Sequence, residues 1–142
     1  MIDYILNECR KTSIEASGQL TLGKLIEELT MVKQEVPDAK VYFDFCGFFP
    51  TDIDSWLGIY AELALSYKKD GEPMSIDEFI ALLKKTIGQT FVSFEGCSHT
   101  MKADTPIWVA NKMEAGKTAV VGITDDGVNV YIRTDFVDPY DW

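Results

Sequence analysis

"SIDEFIALLKKTIG", residues 75–88, carries the pattern that decides the fold class. Ser75 and Glu78 have the spacing of a capping box, in which each side chain satisfies a backbone N–H at the start of a helix. Two lysines and Gly88 follow at the other end, where cations and glycine favour helix termination. On one helical face lie the apolar residues Ile76, Phe79, Ile80 and Leu83. The segment therefore predicts an amphipathic helix.

"TLGKLIEELTMVK", residues 21–33, predicts a second amphipathic helix upstream. Its aliphatic residues again recur at helical spacing, and Pro37 stops the helix because proline removes a backbone donor and clashes with the preceding turn. Residues 1–20 have no pattern that favours one structure, so they are treated as an uncertain N-terminal segment.

Short segments rich in β-branched and aromatic residues surround the two helices. They are KVYFDF (40–45), GIYAELALSY (58–67), TFVSF (90–94), PIWVA (106–110), KTAVVGI (117–123) and VNVYIR (128–133). Several alternate between apolar and polar residues, and "TDDG" between the last two supplies the turn of a hairpin. The sequence predicts an α+β fold, a mainly antiparallel sheet with both amphipathic helices packed on one face.

The length of 142 residues and the apolar fraction of 46% suit a single domain, residues 1–142. Residues 135–142, "DFVDPYDW", are predicted to be an acidic, aromatic tail. No apolar run approaches the ~20 residues that span a bilayer, so we expect a cytoplasmic protein without membrane contact. The three cysteines are widely spaced and are expected to be free thiols.

Thirteen basic and twenty-three acidic residues give the chain a formal net charge of −10. Such a surface repels a nucleic-acid backbone, so we expect no nucleic-acid partner. A small anionic ligand is compatible with this charge, because screening over about 8–10 Å lets a few local donors outweigh distant carboxylates. The same acidity suits a protein-binding inhibitor that imitates DNA.

The only histidine, His99, is the first candidate for catalysis. It directly follows Cys97 and Ser98, and residues so near in sequence seldom form a catalytic pair. No CxxC or HxxxH spacing supplies further ligands for zinc. We therefore interpret His99 as a loop residue, and we expect no metal and no cofactor.

Asp44, Asp52 and Asp54 are the carboxylates that could form an acid–base pair or hold Mg²⁺. Their spacing is unspecific, and acidic residues beside Pro50 and Thr51 are more often turn residues. The chain has no glycine-rich phosphate loop. An enzyme that acts through these carboxylates is an alternative, ranked below a binding protein.

One face of the last predicted strand gathers groups that suit an anion. Asn129, Tyr131 and Arg133 alternate with apolar residues, so they share one side of the strand. A guanidinium can form two parallel hydrogen bonds to a phosphate, which a lysine cannot. Trp108 and Asn111, near the end of another predicted strand, add a ring for base stacking and an amide. The alternative is an ordinary polar outer face.

"VYFDFCGFFPTDIDSWLGIYAELALSY", together with "DTPIWVANK" and "TAVVGIT", resembles stretches that a family of small bacteriophage proteins shares in this order. The resemblance covers roughly residues 20–134 and points to the phage Thoeris anti-defence proteins. It implies a non-catalytic sponge that binds a cyclic ADP-ribose immune signal without cleaving it, as a homo-oligomer in the cytoplasm of the infected bacterium. In that setting the acidic alternative is an inhibitor of a host defence or restriction enzyme.

The resemblance also implies where a ligand would lie. Residues 48–51 would form a loop between strands that shapes a pocket or a subunit interface. Relatives are expected to read Ser-Tyr-Arg-Gly where this chain has Ser-Trp-Leu-Gly at residues 55–58, so one phosphate-binding arginine is missing. Either Arg133 and lysines such as Lys117 hold the phosphates alone, or the chain binds a different ligand or none. The candidate ligand-binding residues are Arg133, Tyr131, Asn129, Asn111, Trp56, Phe49 and Lys117.

Overall fold

The computed structural model describes residues 18–45, 47–55, 63–92, 98–110 and 117–137. These residues form two helices, a six-stranded sheet and a two-stranded sheet, which confirms the α+β class. Neither helix in the described part of the chain is long and apolar enough to cross a membrane.

Both predicted helices form, and side-chain caps fix where they begin. Helix α1 is Leu22–Lys33, and its N-cap Thr21 accepts a hydrogen bond at 3.3 Å from the backbone N–H three residues later. Helix α2 is Ile76–Thr86, and the capping box before it is present. The hydroxyl of Ser75 accepts from the N–H of Glu78 at 3.1 Å, and the Glu78 carboxylate accepts from the N–H of Ser75 at 3.2 Å.

Eight strands lie in the described residues. They are β1 (Val41–Phe43), β2 (Phe49–Ser55), β3 (Leu63–Lys68), β4 (Thr90–Val92), β5 (Ser98–Thr100), β6 (Ile107–Val109), β7 (Lys117–Asp125) and β8 (Val130–Val137). Six of them coincide with predicted segments, whereas β2 and β5 occupy stretches that were predicted as loops. The tail prediction is also corrected at its start, because β8 continues to Val137.

The six-stranded sheet is mixed, with the strand order β1-β8-β7-β6-β3-β2. β1 pairs with β8 and β3 pairs with β6 in parallel, while the other three pairs are antiparallel. The prediction of a mainly antiparallel sheet is therefore wrong. Helix α2 and the β4–β5 hairpin lie between β3 and β6 along the chain, which gives the long crossover that a parallel pair needs.

β2 lies at one end of the strand order, where β3 is its only partner among the described strands. Proline is tolerated in such an edge strand, because the missing N–H of Pro50 is not needed for pairing. The register shifts between Pro50 and Asp52, so Thr51 forms a β-bulge. A proline followed by aspartates resembles a turn in sequence, and the edge position with its bulge explains why this strand was missed.

One large core unites the helices with alternate residues of the sheet. From α1 and α2 it takes Leu22, Leu25, Leu29, Ile76, Phe79 and Leu83. From the strands it takes Val41, Phe43, Ile53, Leu63, Leu65, Ile107, Val109, Val120, Val130 and Ile132. The apolar faces predicted for both helices and for the alternating residues of β3 are thus confirmed.

A second, smaller buried cluster contains Trp108 with Ala64 and Ala119. Trp108 is paired with Ala119 across β6 and β7, and with Ala64 across β3 and β6. Its side chain is fully buried. Trp108 therefore belongs to the core and offers no ring face for base stacking.

His99 lies in strand β5, so its interpretation as a loop residue is wrong. It is opposite Phe91 in the β4–β5 hairpin, whose two strands form the separate two-stranded sheet. A run of three residues is too short for alternation to be recognised from sequence, because polar residues at a hairpin end resemble a loop.

The described residues around the end of β1, 43–45 and 47–48, form an aromatic turn that leads towards β2. The N–H of Phe43 donates to the carbonyl of Phe48 at 2.8 Å, and Gly47 adopts a φ of 73°, which glycine reaches without steric cost. The rings of Phe43, Phe45, Phe48 and Tyr67 meet at centroid distances from 5.1 to 6.3 Å. β1 and β2 stand at the two ends of the strand order and also contact each other. This contact between the end strands brings the sheet close to a barrel.

Candidate functional site

A groove of about 390 Å³ lies beside β1 and β8, and we call it the tyrosine groove. Tyr42 is opposite Tyr131 in the parallel register, so the two rings lie on the same side of the sheet. The rings are stacked, with centroids 6.0 Å apart and planes inclined by 28°. The groove is lined by Tyr42, Phe43, Asp44, Phe45, Gly47, Asn129 and Tyr131.

Asp126, in the turn between β7 and β8, fixes the outer end of the Tyr131 side chain. The Tyr131 hydroxyl donates to Oδ2 of Asp126 at 2.9 Å, while Oδ1 accepts from the N–H groups of Asn129 at 2.8 Å and Val128 at 2.9 Å. These bonds, first of all that from Asn129, hold the pKa of the Asp126 carboxyl below its ordinary value. In return the bonded carboxylate raises the pKa of the Tyr131 phenol.

Asp44 ties the end of β1 to β8. The N–H of Thr134 donates to Oδ2 of Asp44 at 2.9 Å, and the Thr134 hydroxyl donates to Oδ1 at 2.7 Å. The N–H of Asp44 in turn donates to the carbonyl of Ile132 at 3.0 Å. Both carboxylate oxygens therefore have donors from β8, which fixes their direction at the wall of the tyrosine groove.

Asn129 is held by the chain segment that leads into β1. Its Oδ1 accepts from the N–H of Lys40 at 3.2 Å, and the carbonyl of Lys40 accepts from the N–H of Val130 at 2.9 Å. The Asn129 side chain also interacts with the Tyr131 hydroxyl in the sense that lowers its pKa, a smaller effect than that of Asp126. The amide thus enters the groove in one fixed orientation.

Arg133 lies one alternation beyond Tyr131 on β8 and is exposed. Two residues of a strand advance about 7 Å, so the backbone of Arg133 lies beyond Tyr131 at one end of the tyrosine groove, and its side chain does not line the groove. Its partner across β7 is Gly122, and a Cβ atom on that glycine would lie 3.2 Å from Nη1 of Arg133. The absence of a side chain at this position lets the arginine lie flat across the neighbouring strand.

Of the other predicted site residues, the structure describes Phe49 and Lys117. Phe49 is only 4% exposed and meets Tyr42 edge-on at a centroid distance of 6.3 Å, so it supports that ring instead of facing solvent. Lys117 begins β7 with its backbone opposite Val137. Trp56, Asn111 and the three cysteines lie outside the described residues.

The two other aspartates of the carboxylate hypothesis lie in β2. Oδ1 of Asp52 accepts from the N–H of the next residue, Ile53, at 2.8 Å. Asp54 is opposite Ala64 in β3. Within the described ranges, no group of three histidine, cysteine, aspartate or glutamate side chains is placed to hold a metal ion.

Sequence reasoning found Asn129 and Tyr131 but missed Tyr42 and Asp126 as parts of the same site. Tyr42 stands in a predicted strand, yet its position beside Tyr131 depends on parallel pairing between segments that are about 90 residues apart, as in the Lys40 to Asn129 bond. Asp126 was recognised as a turn residue, and the aspartate-glycine turn was the available signal. Neither the strand pattern around Tyr42 nor the turn pattern around Asp126 reveals the long-range pairing that brings both residues to Tyr131.

Comparison of the chain with protein-family models, with curated proteins and with solved structures finds no match. The type of ligand is therefore inferred from the chemistry of the tyrosine groove. Its walls offer aromatic ring surface, a fixed amide and carboxylate oxygens, which suit a flat ligand that carries hydroxyl or amino groups. The carboxylates disfavour a phosphate within the groove itself, whereas the end near Arg133 favours one.

Proposed function

We propose that the protein sequesters a small nucleotide signal of the cyclic ADP-ribose type without cleaving it, in the cytoplasm of a phage-infected bacterium. The observation that carries this proposal is the convergence of Tyr42, Tyr131 and Asn129 on one groove of about 390 Å³. That volume falls within the range of about 300–1,000 Å³ that is usual for small-molecule sites. Two of these three residues were predicted as ligand-binding from sequence.

The charge distribution suggests how such a ligand would be oriented. A purine would stack on the tyrosine pair, with the Asn129 amide at its edge. Ribose hydroxyl groups would donate to a carboxylate, as they do in dinucleotide-binding proteins, and Asp44 is the lining carboxylate. The phosphates would leave the groove towards Arg133, since the Asp44 carboxylate would repel them inside.

The hydrogen bonds of the carboxylates favour binding over hydrolysis. A general base near neutral pH is most effective when its pKa lies near the operating pH. The pKa of Asp126 is moved the other way, below its ordinary value. Asp44 accepts two hydrogen bonds from Thr134, one on each carboxylate oxygen, which fix its direction. We further propose that the active form is a homo-oligomer, in keeping with the resemblance, and that both helices cover one face of the sheet.

Retention of the ligand tests the proposal. The protein is incubated with a cyclic ADP-ribose signal, separated from free nucleotide, and heated to release what it holds; mass spectrometry should find the nucleotide intact. Degraded nucleotide would indicate an enzyme. No retention at micromolar protein would overturn the proposal.

Arg133→Ala then locates the phosphates. Loss of a charge-assisted hydrogen bond costs ~1.5–3 kcal/mol, so calorimetry should show affinity reduced by one to two decades. Lys84→Ala, on the exposed last turn of α2, is the matched control and should bind as the wild type does. Wild-type affinity in Arg133→Ala would place the phosphates elsewhere.

A further inference from the structure

A second groove, of about 410 Å³, lies between α1 and β7. Ile123 of β7 is opposite Ile132 of β8, and Ile132 alternates with Tyr131 along that strand. The second groove therefore opens on the face of the sheet opposite to the tyrosine groove. We call it the helix groove, and it is lined by Glu28, Met31, Val32, Glu35 and Ile123.

The centre of the helix groove is apolar. Val32 and Ile123 are half-buried and pack against the large core. Met31 is 65% exposed, which is unusual for a large apolar side chain on a helix that otherwise buries its leucines. Methionine is flexible and polarisable, and it is enriched on surfaces that bind varied apolar partners. The groove thus presents an adaptable apolar strip to solvent.

The rim of the helix groove is acidic and lacks counter-charges. Glu28 lies in α1, and Glu35 lies in the turn that follows the last helical residue, Lys33. The two lysines of α1 are both engaged elsewhere, Lys24 with Glu27 at 3.7 Å and Lys33 with Asp77 of α2. Neither Glu28 nor Glu35 forms an ion pair within the described part of the chain.

We propose that the helix groove docks a basic amphipathic helix of a partner protein. Aliphatic side chains on one face of that helix would enter between Met31 and Ile123, in the manner of helix-in-groove recognition. Lysine or arginine residues that flank this apolar face would lie opposite Glu28 and Glu35. Charge complementarity specifies the partner: an apolar strip between two open carboxylates fits an apolar ridge between two cations.

A second copy of this chain fits the groove less well. Its own α1 and the turn after it would bring the same two glutamates to the contact, so like charges would face each other. The formal charge of −10 on each chain adds long-range repulsion to that local one. The observations therefore favour a basic partner over self-association on this face.

A synthetic helix tests this proposal. The probe is a leucine–lysine peptide of about 20 residues, long enough to form a helix, with lysines on both sides of a leucine face. Calorimetry at ~0.15 M salt should detect micromolar binding, and amide chemical-shift changes should cluster around residues 28–35 and Ile123. A peptide of the same composition in scrambled order, without an apolar face, should bind at least about tenfold more weakly.

Matched variants separate the groove from general acidity. Glu28→Gln with Glu35→Gln should lower the affinity about tenfold, whereas Asp70→Asn with Glu72→Gln, in the exposed loop after β3, should change it less than about twofold. Equal losses in both double variants, or equal binding of the scrambled peptide, would overturn the proposal. So would a dimer in sedimentation experiments that Met31→Asp dissociates, because the occupant would then be a second copy.

Discussion

The tyrosine groove and the helix groove open on opposite faces of β7 and β8, and they hold their carboxylates in different ways. At the first, Asp44 and Asp126 accept five hydrogen bonds: two from Thr134, one from Tyr131 of β8, and two from Val128 and Asn129 of the β7–β8 turn. At the second, Glu28 and Glu35 have no such donors among the described residues. Acidic residues contribute equally to the net charge at both places, yet only one pair has a fixed direction.

This difference separates two kinds of recognition. A small ligand gains affinity from groups whose positions are set before it binds, because little conformational freedom is then lost. A protein partner is better met by side chains that adjust, such as glutamate and methionine on a helix surface. The tyrosine groove has fixed groups and the helix groove has adjustable ones. Substitutions in the tyrosine groove should therefore lower the free energy of unfolding more than substitutions in the helix groove.

The largest effect on folding should come from Tyr42→Ala. The change removes the stack on Tyr131 and the edge contact with Phe49, and we expect about 2 kcal/mol of lost stability. Met31→Ala is the matched truncation in the helix groove and should change the free energy of unfolding by no more than about 0.5 kcal/mol, since its side chain is largely exposed. Urea unfolding measures both. Equal effects of the two substitutions would show that the tyrosine groove is no more rigidly held than the helix groove.

A smaller loss is expected for Asp44→Ala. This carboxylate joins β1 to β8 through two hydrogen bonds from Thr134, and its exposure to solvent reduces their net contribution to about 1 kcal/mol. Asp70→Ala, in the exposed loop after β3, removes a carboxylate without such bonds and should leave the unfolding midpoint unchanged. If Asp44→Ala also leaves the unfolding midpoint unchanged, the two bonds from Thr134 do not stabilise the pairing of β1 with β8.

The smallest expected effect is a change in the pKa of Tyr131. The pKa of Tyr131 is raised above its ordinary value of 10.0, and Asp126 is the main cause, so Asp126→Asn should lower it. Carbon NMR of labelled tyrosine follows this pKa directly. Glu78→Gln, at the start of α2, is a control that should leave it unchanged.

The same coupling fixes the sign of the pH dependence. The folded pKa of Asp126 lies below its ordinary 3.8, so its stabilisation is present above that pH and is lost as the pH falls through the folded value. For Tyr131 the stabilisation is present below pH 10.0 and is lost as the pH rises through the raised value. A Tyr131 pKa that does not respond to Asp126→Asn would contradict the assignment for Tyr131.

The elements of the fold could be predicted where local chemistry determines them. The capping box at Ser75, the helical repeat of α1 and the alternation in β3 each involve residues within one segment. Strand direction could not be predicted, because parallel and antiparallel strands have the same alternation. β2 was missed since proline and aspartate are common in turns, and only its place at the edge makes them compatible with a strand.

Only the part of the candidate site that lies on β8 could be predicted from the sequence. Asn129 and Tyr131 share a face of one strand, which the period of two reveals. Tyr42 joins them only through the parallel register with β1, and the helix groove arises where α1 crosses β7. Both depend on contacts between distant segments, which periodicity within a single segment does not encode. The resemblance to the phage family stays a prediction that ligand binding has to test.

The position of β8 in the sheet has a consequence for how the protein is made. β8 lies between β1 and β7, although β1 precedes it by about 90 residues along the chain. On the ribosome, β1 therefore emerges long before the strand that it pairs with, and the sheet cannot be completed until residue 137 has been synthesised. Loops of this length raise the contact order and slow folding, so the nascent chain depends on its two capped helices for early structure.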